Sequence, residues 1–236
     1  MPKKLVVLSG AGMSAESGLK TFRDSGGLWE DYKVEEVASI EAWRRTPELV
    51  QRFYNERRRQ LETARPNDGH TGLAALEKDY DVHIITQNID NLHERAGSTK
   101  VLHLHGLLTR ARSSDNPREV IDIGYRDILK GEKAHDGSLL RPDIVWFGEA
   151  VPAMSEAAEV ASGAEVFVVI GTSMNVYPAA GLIHYVPDTA RIFLIDPKPV
   201  PVWSHHKIEY IDKGAGEGVA MLAEKLHDSE AVGNRQ

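Results

Sequence analysis

Six short apolar runs recur along the chain, and none shows the clean polar alternation of a strand that is exposed on one face. They cover residues 5–8, 82–85, 101–105, 166–170, 192–195 and 208–211. Such runs predict strands that are buried on both faces, as in a parallel sheet. Helices are predicted between them at residues 70–79, 89–96, 179–186 and 218–226. The pattern therefore predicts an α/β fold with a doubly wound parallel sheet.

Two segments interrupt this alternation of strands and helices. Residues 26–66 have a helical pattern with no strand, and residues 107–141 are polar, contain glycine and are weakly patterned. We expect them to form a small second lobe, inserted into a sheet domain made of residues 1–25, 67–106 and 142–227. Residues 228–236 are predicted to be a flexible tail.

Composition narrows the class of protein. The chain has 236 residues, a formal net charge of -7 and no cysteine. The negative charge argues against a nucleic-acid partner, and the lack of cysteine excludes disulfides, thiol nucleophiles and cysteine-ligated metals. The first apolar run is too short for a signal peptide, and no run is long enough to span a bilayer. We expect a monomeric, cytoplasmic enzyme that does not associate with membranes.

The first apolar run leads into a glycine turn, G-x-G-x-x-A, formed by Gly10, Ala11, Gly12 and Ala15. Such glycines let backbone N–H groups approach a diphosphate in Rossmann-like domains, although an ordinary strand-to-helix turn gives the same pattern. A dehydrogenase has an acidic residue at the end of its second strand, roughly twenty residues further on. Here residues 20–29 are loop-like instead, which argues against hydride transfer.

Polar side chains follow two further runs. Gln87, Asn88 and Asp90 come directly after the run at 82–85, and residues 171–173 follow the run at 166–170. Ligands bind at the carboxyl ends of parallel strands, so both groups are candidate binding residues. Each group also has a structural interpretation, because Asn88, Asp90 and the hydroxyls at 172 and 173 could simply cap the next helix.

Two histidines lie in the alternating run at 101–105. His103 and His105 share one strand face, and His105 is followed by Gly106 at the strand end. Most histidines in such strands are structural, and that interpretation is favoured for His103. His105 is better placed to meet a ligand, where an imidazole can accept a proton near neutral pH.

A helical stretch at residues 49–61 carries an arginine on an otherwise apolar stripe. The stripe is formed by Val50, Tyr54, Arg57 and Leu61. An inward-facing guanidinium needs an anion, because unpaired burial is costly. A local acid such as Glu56 or Glu62 could supply it, or Arg57 could reach water at an open helix rim. Arg58 and Arg59 are predicted to form a solvated face.

Five separate motifs between residues 5 and 211 resemble those of the sirtuins, which are NAD-dependent protein lysine deacylases. They are residues 5–29, 86–90, His105 with Gly106, 141–149, and Gly171 to Ser173 with 176–180. The resemblance implies that NAD is consumed as a co-substrate and that acylated lysine in proteins is the substrate. It also implies that nicotinamide is released and the acyl group is transferred to ADP-ribose.

The resemblance assigns most of the polar residues to NAD. It implies that the loop with Phe22 and Arg23 closes over the nicotinamide ribose, which explains the missing second strand. His105 would be the general base, with Asn88 and Asp90 as further catalytic residues. The implied cofactor-binding residues are Gly10, Ala11, Gly12, Ala15, Phe22, Arg23, Gln87, Asn88, Ile89, Asp90, Gly171, Thr172, Ser173 and Asp196.

The resemblance also implies how the substrate is held. The peptide would be sandwiched as an added strand between two segments that contain Val145, Phe147, Gly148, Glu149, Val176 and Tyr177. A Tyr-x-x-Arg pair in this helix is similar to the sirtuin subgroup that removes acidic acyl groups. Tyr54 and Arg57 would then bind the terminal carboxylate of a succinyl or malonyl group.

The chain departs from the sirtuin pattern in two places. Most sirtuins bind a structural zinc with two cysteine pairs, but residues 110–115 here contain none, so a zinc-free lobe without a metal site is predicted. Asp196 stands where sirtuins usually have asparagine facing adenosine, which changes the cofactor contacts because a carboxylate cannot donate. Two other functions stay open, a mono-ADP-ribosyltransferase and a non-catalytic NAD or acyl-lysine binding module.

Overall fold

The computed structural model of the protein describes residues 2–19, 28–29, 32–198, 200–201 and 204–233. Its strands lie in three sheets. In chain order they are β1 (Lys4–Ser9), β2 (Leu28–Trp29), β3 (Tyr32–Lys33), β4 (Asp81–Thr86), β5 (Val101–His103), β6 (Gly106–Ser113), β7 (Val120–Asp122), β8 (Leu140–Ile144), β9 (Val166–Ile170), β10 (Arg191–Ile195) and β11 (Ile208–Ile211).

Helices connect most of these strands. The α-helices are α1 (Val34–Val37), α2 (Ile40–Arg45), α3 (Pro47–Thr63), α4 (Asp68–Ala75), α5 (Leu92–Arg95), α6 (Met154–Ser162) and α7 (Ala215–Gly233). Short 3-10 helices cover Ala11–Ser17, Leu76–Lys78 and Ala179–Tyr185. Among the described residues, no helix combines the length and the apolar character that a membrane span requires.

The six predicted strands form one parallel sheet in the order β11-β10-β9-β1-β4-β5. Alternate residues of β1 point to opposite faces of this sheet. Leu5 and Val7 pack with α4 and α7 on one face, while Val6 and Leu8 pack with α6 and the helix Ala179–Tyr185 on the other. Both faces are buried, which explains the continuous apolar runs and confirms the doubly wound, Rossmann-like α/β prediction.

The two interrupting segments pack together beside the parallel sheet. Helices α1 to α3 share an apolar cluster with Leu92, Leu108, Ile144 and Trp146. The segment at 107–141 contributes to a small antiparallel sheet in the order β7-β6-β8. The prediction that residues 26–66 contain no strand is wrong, because β2 and β3 form a two-residue antiparallel ladder. Strands this short leave too few residues for a periodic pattern.

Buried polar links hold α3 to the antiparallel sheet. Arg58 is fully buried, donating from Nε to the Leu108 carbonyl at 2.6 Å and from Nη1 to Asn55 Oδ1 at 2.7 Å. Asn55 in turn pairs with both backbone groups of Ile128, at 2.9 and 3.0 Å. The prediction that Arg58 lies on a solvated face is therefore wrong. Arg59, as predicted, is largely exposed and pairs with Asp127.

Several element boundaries differ from the predictions. The run at 101–105 divides, because β5 ends at His103 and β6 begins at Gly106, whose φ of 84° lies in the left-handed region. The helix predicted at 89–96 is confined to Leu92–Arg95. Helix α6 has no counterpart among the predictions. The tail predicted from residue 228 is helical through Gly233, since α7 continues to that residue.

Candidate functional site

A cavity of about 500 Å³ lies at the carboxyl ends of β1, β4, β9 and β10, where the sheet meets α3 and the segment after β8. In the sheet order, β1 is flanked by β4 on one side and β9 on the other. The strand order therefore reverses beside β1: the chain adds β4 and β5 on one side and later β9, β10 and β11 on the other, and open α/β sheets bind ligands at such a reversal. The turns after these strands line the cavity with the residues whose contacts are described below.

The glycine turn packs directly against a second glycine turn. The Gly12 N–H donates to the Gly171 carbonyl at 2.8 Å. A Cβ atom on Gly12 would lie 2.7 Å from the Gly171 Cα, and Gly171 itself has a φ of 61°. These glycines thus permit the close approach of the two turns. Ala11 and Ala15 line the cavity beside them.

Ser14 links Asn88 and Asp90, the amide and the carboxylate that follow β4. Its Oγ donates to Asp90 Oδ2 at 2.9 Å and accepts from Asn88 Nδ2 at 3.1 Å. Asp90 also accepts from the Leu92 N–H at 3.1 Å, so it contacts the first residue of α5 as well as lining the cavity. Burial raises the pKa of Asp90 despite these hydrogen bonds. Ser14 was not among the predicted site residues.

His105 faces the same cavity with a defined tautomer. Its Nδ1–H donates to the Gln87 carbonyl at 3.0 Å, which leaves Nε2 as the proton acceptor. Burial lowers the pKa of His105, so the ring is neutral near pH 7. His103, by contrast, contacts the Asn88 carbonyl at 3.1 Å and Glu94 Oε1 at 2.7 Å. Both of its ring nitrogens are used inside the protein, in line with the structural role predicted for it.

Two further buried histidines stand behind the site. His70 Nε2 lies 3.5 Å from Ser14 Oγ, and His93 Nε2 lies 3.0 Å from Ser9 Oγ. Their rings meet edge to face at a centroid distance of 4.8 Å. Burial lowers the pKa of His70 to about 4 and that of His93 well below its ordinary value. Sequence analysis missed both; only the spacing of Asn67 and His70, a capping box, marks one of them.

The opposite part of the cavity carries hydroxyl and carboxylate groups. Gln87 Nε2 donates to Thr172 Oγ1 at 3.0 Å, which ties the turn after β4 to the turn after β9. Ser173 Oγ accepts from the Asn175 N–H at 3.4 Å. Asp196 follows β10, and its Oδ1 accepts from the backbone N–H of Lys198 at 2.9 Å. The cavity is lined here by Gln87, Ile89, Thr172, Ser173, Asp196 and Lys198.

Tyr54 and Arg57 lie on the wall of the cavity that α3 provides, both buried. Apolar side chains surround them, namely those of Val34, Leu61, Leu108 and Ile144. The Tyr54 Oη accepts from Trp146 Nε1–H at 3.0 Å. Because Arg57 is only 6 % exposed, the alternative in which it reaches water at an open rim is disfavoured.

The predicted peptide-binding segments also border the cavity. Val145, Phe147, Gly148, Glu149 and Val176 line it, and Tyr177 next to them is 69 % exposed. The Phe147 backbone already pairs with the N–H of Ile40 and the carbonyl of Ala38. A strand added here would therefore have to use other backbone groups.

The Glu149 side chain anchors its loop. Its carboxylate accepts two hydrogen bonds from Arg141, at 2.8 and 2.9 Å, and a third from the Trp146 N–H at 2.9 Å. Arg112 lies 3.2 Å from the same carboxylate. The predicted residues Phe22 and Arg23 lie outside the described part of the chain.

The residues around the cavity fit a dinucleotide. Successive turns offer buried amide and carboxylate groups at one end, two glycine turns in the middle and hydroxyls with a carboxylate at the other end. Groups of this kind bind a carboxamide, a diphosphate and ribose hydroxyls. The arrangement can therefore hold NAD.

A family model and individual relatives all point to the same protein family. The Sir2 family model matches residues 10–178. An NAD-dependent protein deacylase of Bacteroides thetaiotaomicron is 55 % identical over 230 residues, covering 95 % of this chain and 98 % of that one. A second, from Helicobacter pylori, is 50 % identical over 224 residues, covering 95 % and 97 % of the two chains.

Solved structures agree with this assignment. A Sir2 homolog in complex with NAD has a TM-score of 0.85 at 38 % identity, covering 97 % of this chain and 91 % of that chain. A Sir2 structure with a deacetylated p53 peptide and 3'-O-acetyl-ADP-ribose has a TM-score of 0.79 at 30 % identity, covering 95 % and 94 %. The resemblance noted from the motifs is confirmed, and NAD fits as the co-substrate. The chain therefore belongs to the Sir2 family, the family of the NAD-dependent protein deacylases named above.

Proposed function

We propose that this Sir2 enzyme removes succinyl and malonyl groups, and also acetyl groups, from lysine side chains of proteins. The observation that carries the proposal is that Tyr54 and Arg57 line the same cavity as His105. A guanidinium beside a phenol suits a carboxylate, because both donate hydrogen bonds and one is positively charged. The apolar side chains around the pair suit the methylene carbons of an acyl chain.

The turns at residues 10–15, 87–90 and 171–173, with Asp196, are proposed to hold NAD. When bound, NAD would supply the ribose carbon that takes up the acyl oxygen as nicotinamide leaves, and with water as a further reactant the products would be nicotinamide, free lysine and O-acyl-ADP-ribose. In this proposal Asn88 and Asp90 face the nicotinamide end, and Ser14 fixes their orientation through its two hydrogen bonds.

His105 is proposed to act as the general base toward a ribose hydroxyl. The hydrogen bond from its Nδ1–H to the Gln87 carbonyl supports this role, because it orients the ring and keeps Nε2 free of a proton. Burial lowers the pKa of His105, which keeps the base in its neutral form at and somewhat below pH 7.

The same residues favour this proposal over the two alternatives. A mono-ADP-ribosyltransferase does not need the Tyr54 and Arg57 pair, since no acyl carboxylate enters its site. A binding module without activity does not need a buried imidazole of fixed tautomer next to Asn88 and Asp90. The monomeric state, the cytoplasmic location and the zinc-free lobe stay predictions.

The proposal is tested by incubating the purified protein with peptides that differ only in carrying acetyl-lysine or succinyl-lysine, with and without NAD, in the presence of a chelator. Mass spectrometry is expected to show NAD-dependent loss of succinyl in preference to acetyl, with O-succinyl-ADP-ribose as product. Loss of acetyl alone would remove the acidic-acyl part of the proposal, and loss of neither group would favour the alternatives.

A further inference from the structure

Trp146 stands between the acyl-binding wall of the cavity and a buried ion pair. It follows β8, is 2 % exposed and lines the cavity. Its backbone N–H donates to Glu149 Oε2 at 2.9 Å, and the Trp43 ring lies on one side at a centroid distance of 5.4 Å. The guanidinium carbon of Arg141 lies 3.5 Å from the centre of the Trp146 ring.

Arg141 itself has little freedom to move. It is 3 % exposed, forms a two-point ion pair with Glu149 at 2.8 and 2.9 Å, and donates to the Ile144 carbonyl at 2.9 Å. Displacing this guanidinium would leave the partly buried Glu149 carboxylate without its main counterion, which is costly. Three contacts therefore hold the Trp146 indole in one orientation. They are the backbone hydrogen bond to Glu149, the Arg141 guanidinium over the ring and the neighbouring Trp43 ring.

The held indole has one polar atom, and that atom meets Tyr54. The distance from Trp146 Nε1 to Tyr54 Oη is 3.0 Å. An indole N–H can only donate, so the Tyr54 oxygen must accept at this contact and its own hydrogen must point elsewhere. A hydroxyl that accepts a hydrogen bond also becomes a stronger donor. Burial raises the pKa of Tyr54, so the phenol keeps the proton that it donates.

We propose that Trp146 determines the preference for acidic acyl groups, because its indole N–H fixes Tyr54 as a hydrogen-bond donor to the acyl carboxylate beside Arg57. Trp146 is in this sense a positioning residue that acts through Tyr54, and Arg141 positions Trp146 in turn. The inference rests on the proposed function, since it presupposes that a carboxylate binds at Tyr54 and Arg57.

The direct test is Trp146→Phe, which removes the N–H but keeps an aromatic ring for Arg141 and Trp43. The measured quantity is the ratio of kcat/KM for succinyl-lysine to kcat/KM for acetyl-lysine peptide. We expect this ratio to fall about tenfold, mainly through a higher KM for the succinyl peptide, as loss of one hydrogen bond to a charged group implies. Trp43→Phe, the same change in the stacked neighbour, should leave the ratio within about twofold of wild type.

A double-mutant cycle shows whether Trp146 acts through Tyr54. If it does, Trp146→Phe should lower the ratio further by less than about twofold in a Tyr54→Phe background, because the hydroxyl it orients is already gone. A full additional tenfold loss in that background would overturn the inference, since Trp146 would then affect the carboxylate independently of Tyr54.

A second substitution guards against misfolding of Trp146→Phe. Benzothienylalanine at position 146 replaces the indole N–H by sulfur at nearly constant shape, and the same fall in the ratio is expected. An unchanged ratio, in a variant with a wild-type circular dichroism spectrum, contradicts the inference. Arg57→Met distinguishes a failure of the Trp146 inference from a failure of the proposed function. If Arg57→Met lowers the ratio but neither change at 146 does, only the role of Trp146 fails, whereas no effect from any of them removes the proposed function itself.

Discussion

At the end of the cavity formed by the parallel sheet, Ser14 ties an amide and a carboxylate side chain together, whereas at the end formed by α3 Tyr54 is held by Trp146 and lies with Arg57 beside apolar side chains. Following the proposed function, we call Ser14, Asn88, Asp90 and His105 the catalytic end, and Tyr54, Arg57, Leu61 and Trp146 the acyl end. Ser14 alone joins two members of the catalytic end at 2.9 and 3.1 Å.

The difference indicates that the two ends have separate roles, one in catalysis and one in acyl selection. Hydrogen bonds among Ser14, Asn88 and Asp90 fix the geometry of the catalytic end whatever acyl group is present. The acyl end places one positive charge and one phenol in an apolar pocket, where electrostatic interactions are stronger than in water. Changes at the catalytic end should therefore affect all acyl substrates alike, and changes at the acyl end should affect them according to their charge.

The largest expected effect comes from removing the base. His105→Ala should lower kcat/KM about a thousandfold for both succinyl-lysine and acetyl-lysine peptides, within the range typical of general-base residues. Steady-state kinetics with each peptide measures this, and circular dichroism verifies the fold. A loss confined to one of the two peptides would show that the catalytic end is not shared between substrates.

The next effect concerns the free energy of unfolding, which depends on pH through the buried histidines behind the catalytic end. The folded-state pKa of His70 is about 4, below its ordinary value of 6.5, so the unfolded chain binds more protons between these values. The free energy of unfolding should thus be highest above pH 6.5 and fall by about 3 kcal/mol as the pH drops to 4, on account of His70.

Urea unfolding at several pH values measures this dependence, and His70→Asn is the matched variant. The wild-type protein should lose stability between pH 6.5 and 4 more steeply than the variant, in which the other titratable groups, among them His93 and His105, still contribute. Parallel curves for the two proteins would mean that His70 does not stay neutral in the fold.

A smaller effect is expected at the acyl end. Arg57→Met should lower kcat/KM about thirtyfold for succinyl-lysine peptide and less than about twofold for acetyl-lysine peptide, because only the former presents a carboxylate. Arg59→Met, two residues further along α3 but 57 % exposed, is the control and should change neither. Equal losses for the two peptides in Arg57→Met would contradict the division between the ends.

The smallest effect concerns the far side of the cofactor cavity. Asp196→Asn keeps one acceptor oxygen and adds donors, so the KM for NAD should change by about threefold or less while the ratio of succinyl to acetyl turnover stays constant. Initial rates at varied NAD with each peptide measure both quantities. A change in the ratio would show that the adenosine side influences acyl choice.

The sequence is informative where one physical rule dominates. A strand buried on both faces must be apolar throughout, so the runs around Val7, Ile84 and Val168 are visible without any structure. Helical periodicity likewise places Tyr54 and Arg57 on one face of α3. These two rules predict the sheet and place Tyr54 and Arg57 together, whereas the assignment of the pair to an acidic acyl group rests on the resemblance to the sirtuins.

The remaining features depend on contacts between distant segments. Arg58 is buried because the Leu108 carbonyl and Asn55 meet its guanidinium, and nothing next to it in the chain indicates this. Ser14 becomes part of the site only because the turn after β1 meets the turn after β4. The Trp146 contact with Tyr54 joins residues 92 positions apart, which no local pattern reports.

One measurement tests the central claim most directly. Two peptides would be compared whose lysine carries either a succinyl group or its terminal amide, which have the same size but differ in charge. We predict that the wild-type enzyme prefers the carboxylate by about thirtyfold in kcat/KM, and that Arg57→Met removes this preference while processing the amide at least as well. Equal rates for the two peptides in the wild-type enzyme would contradict an acyl end built for negative charge.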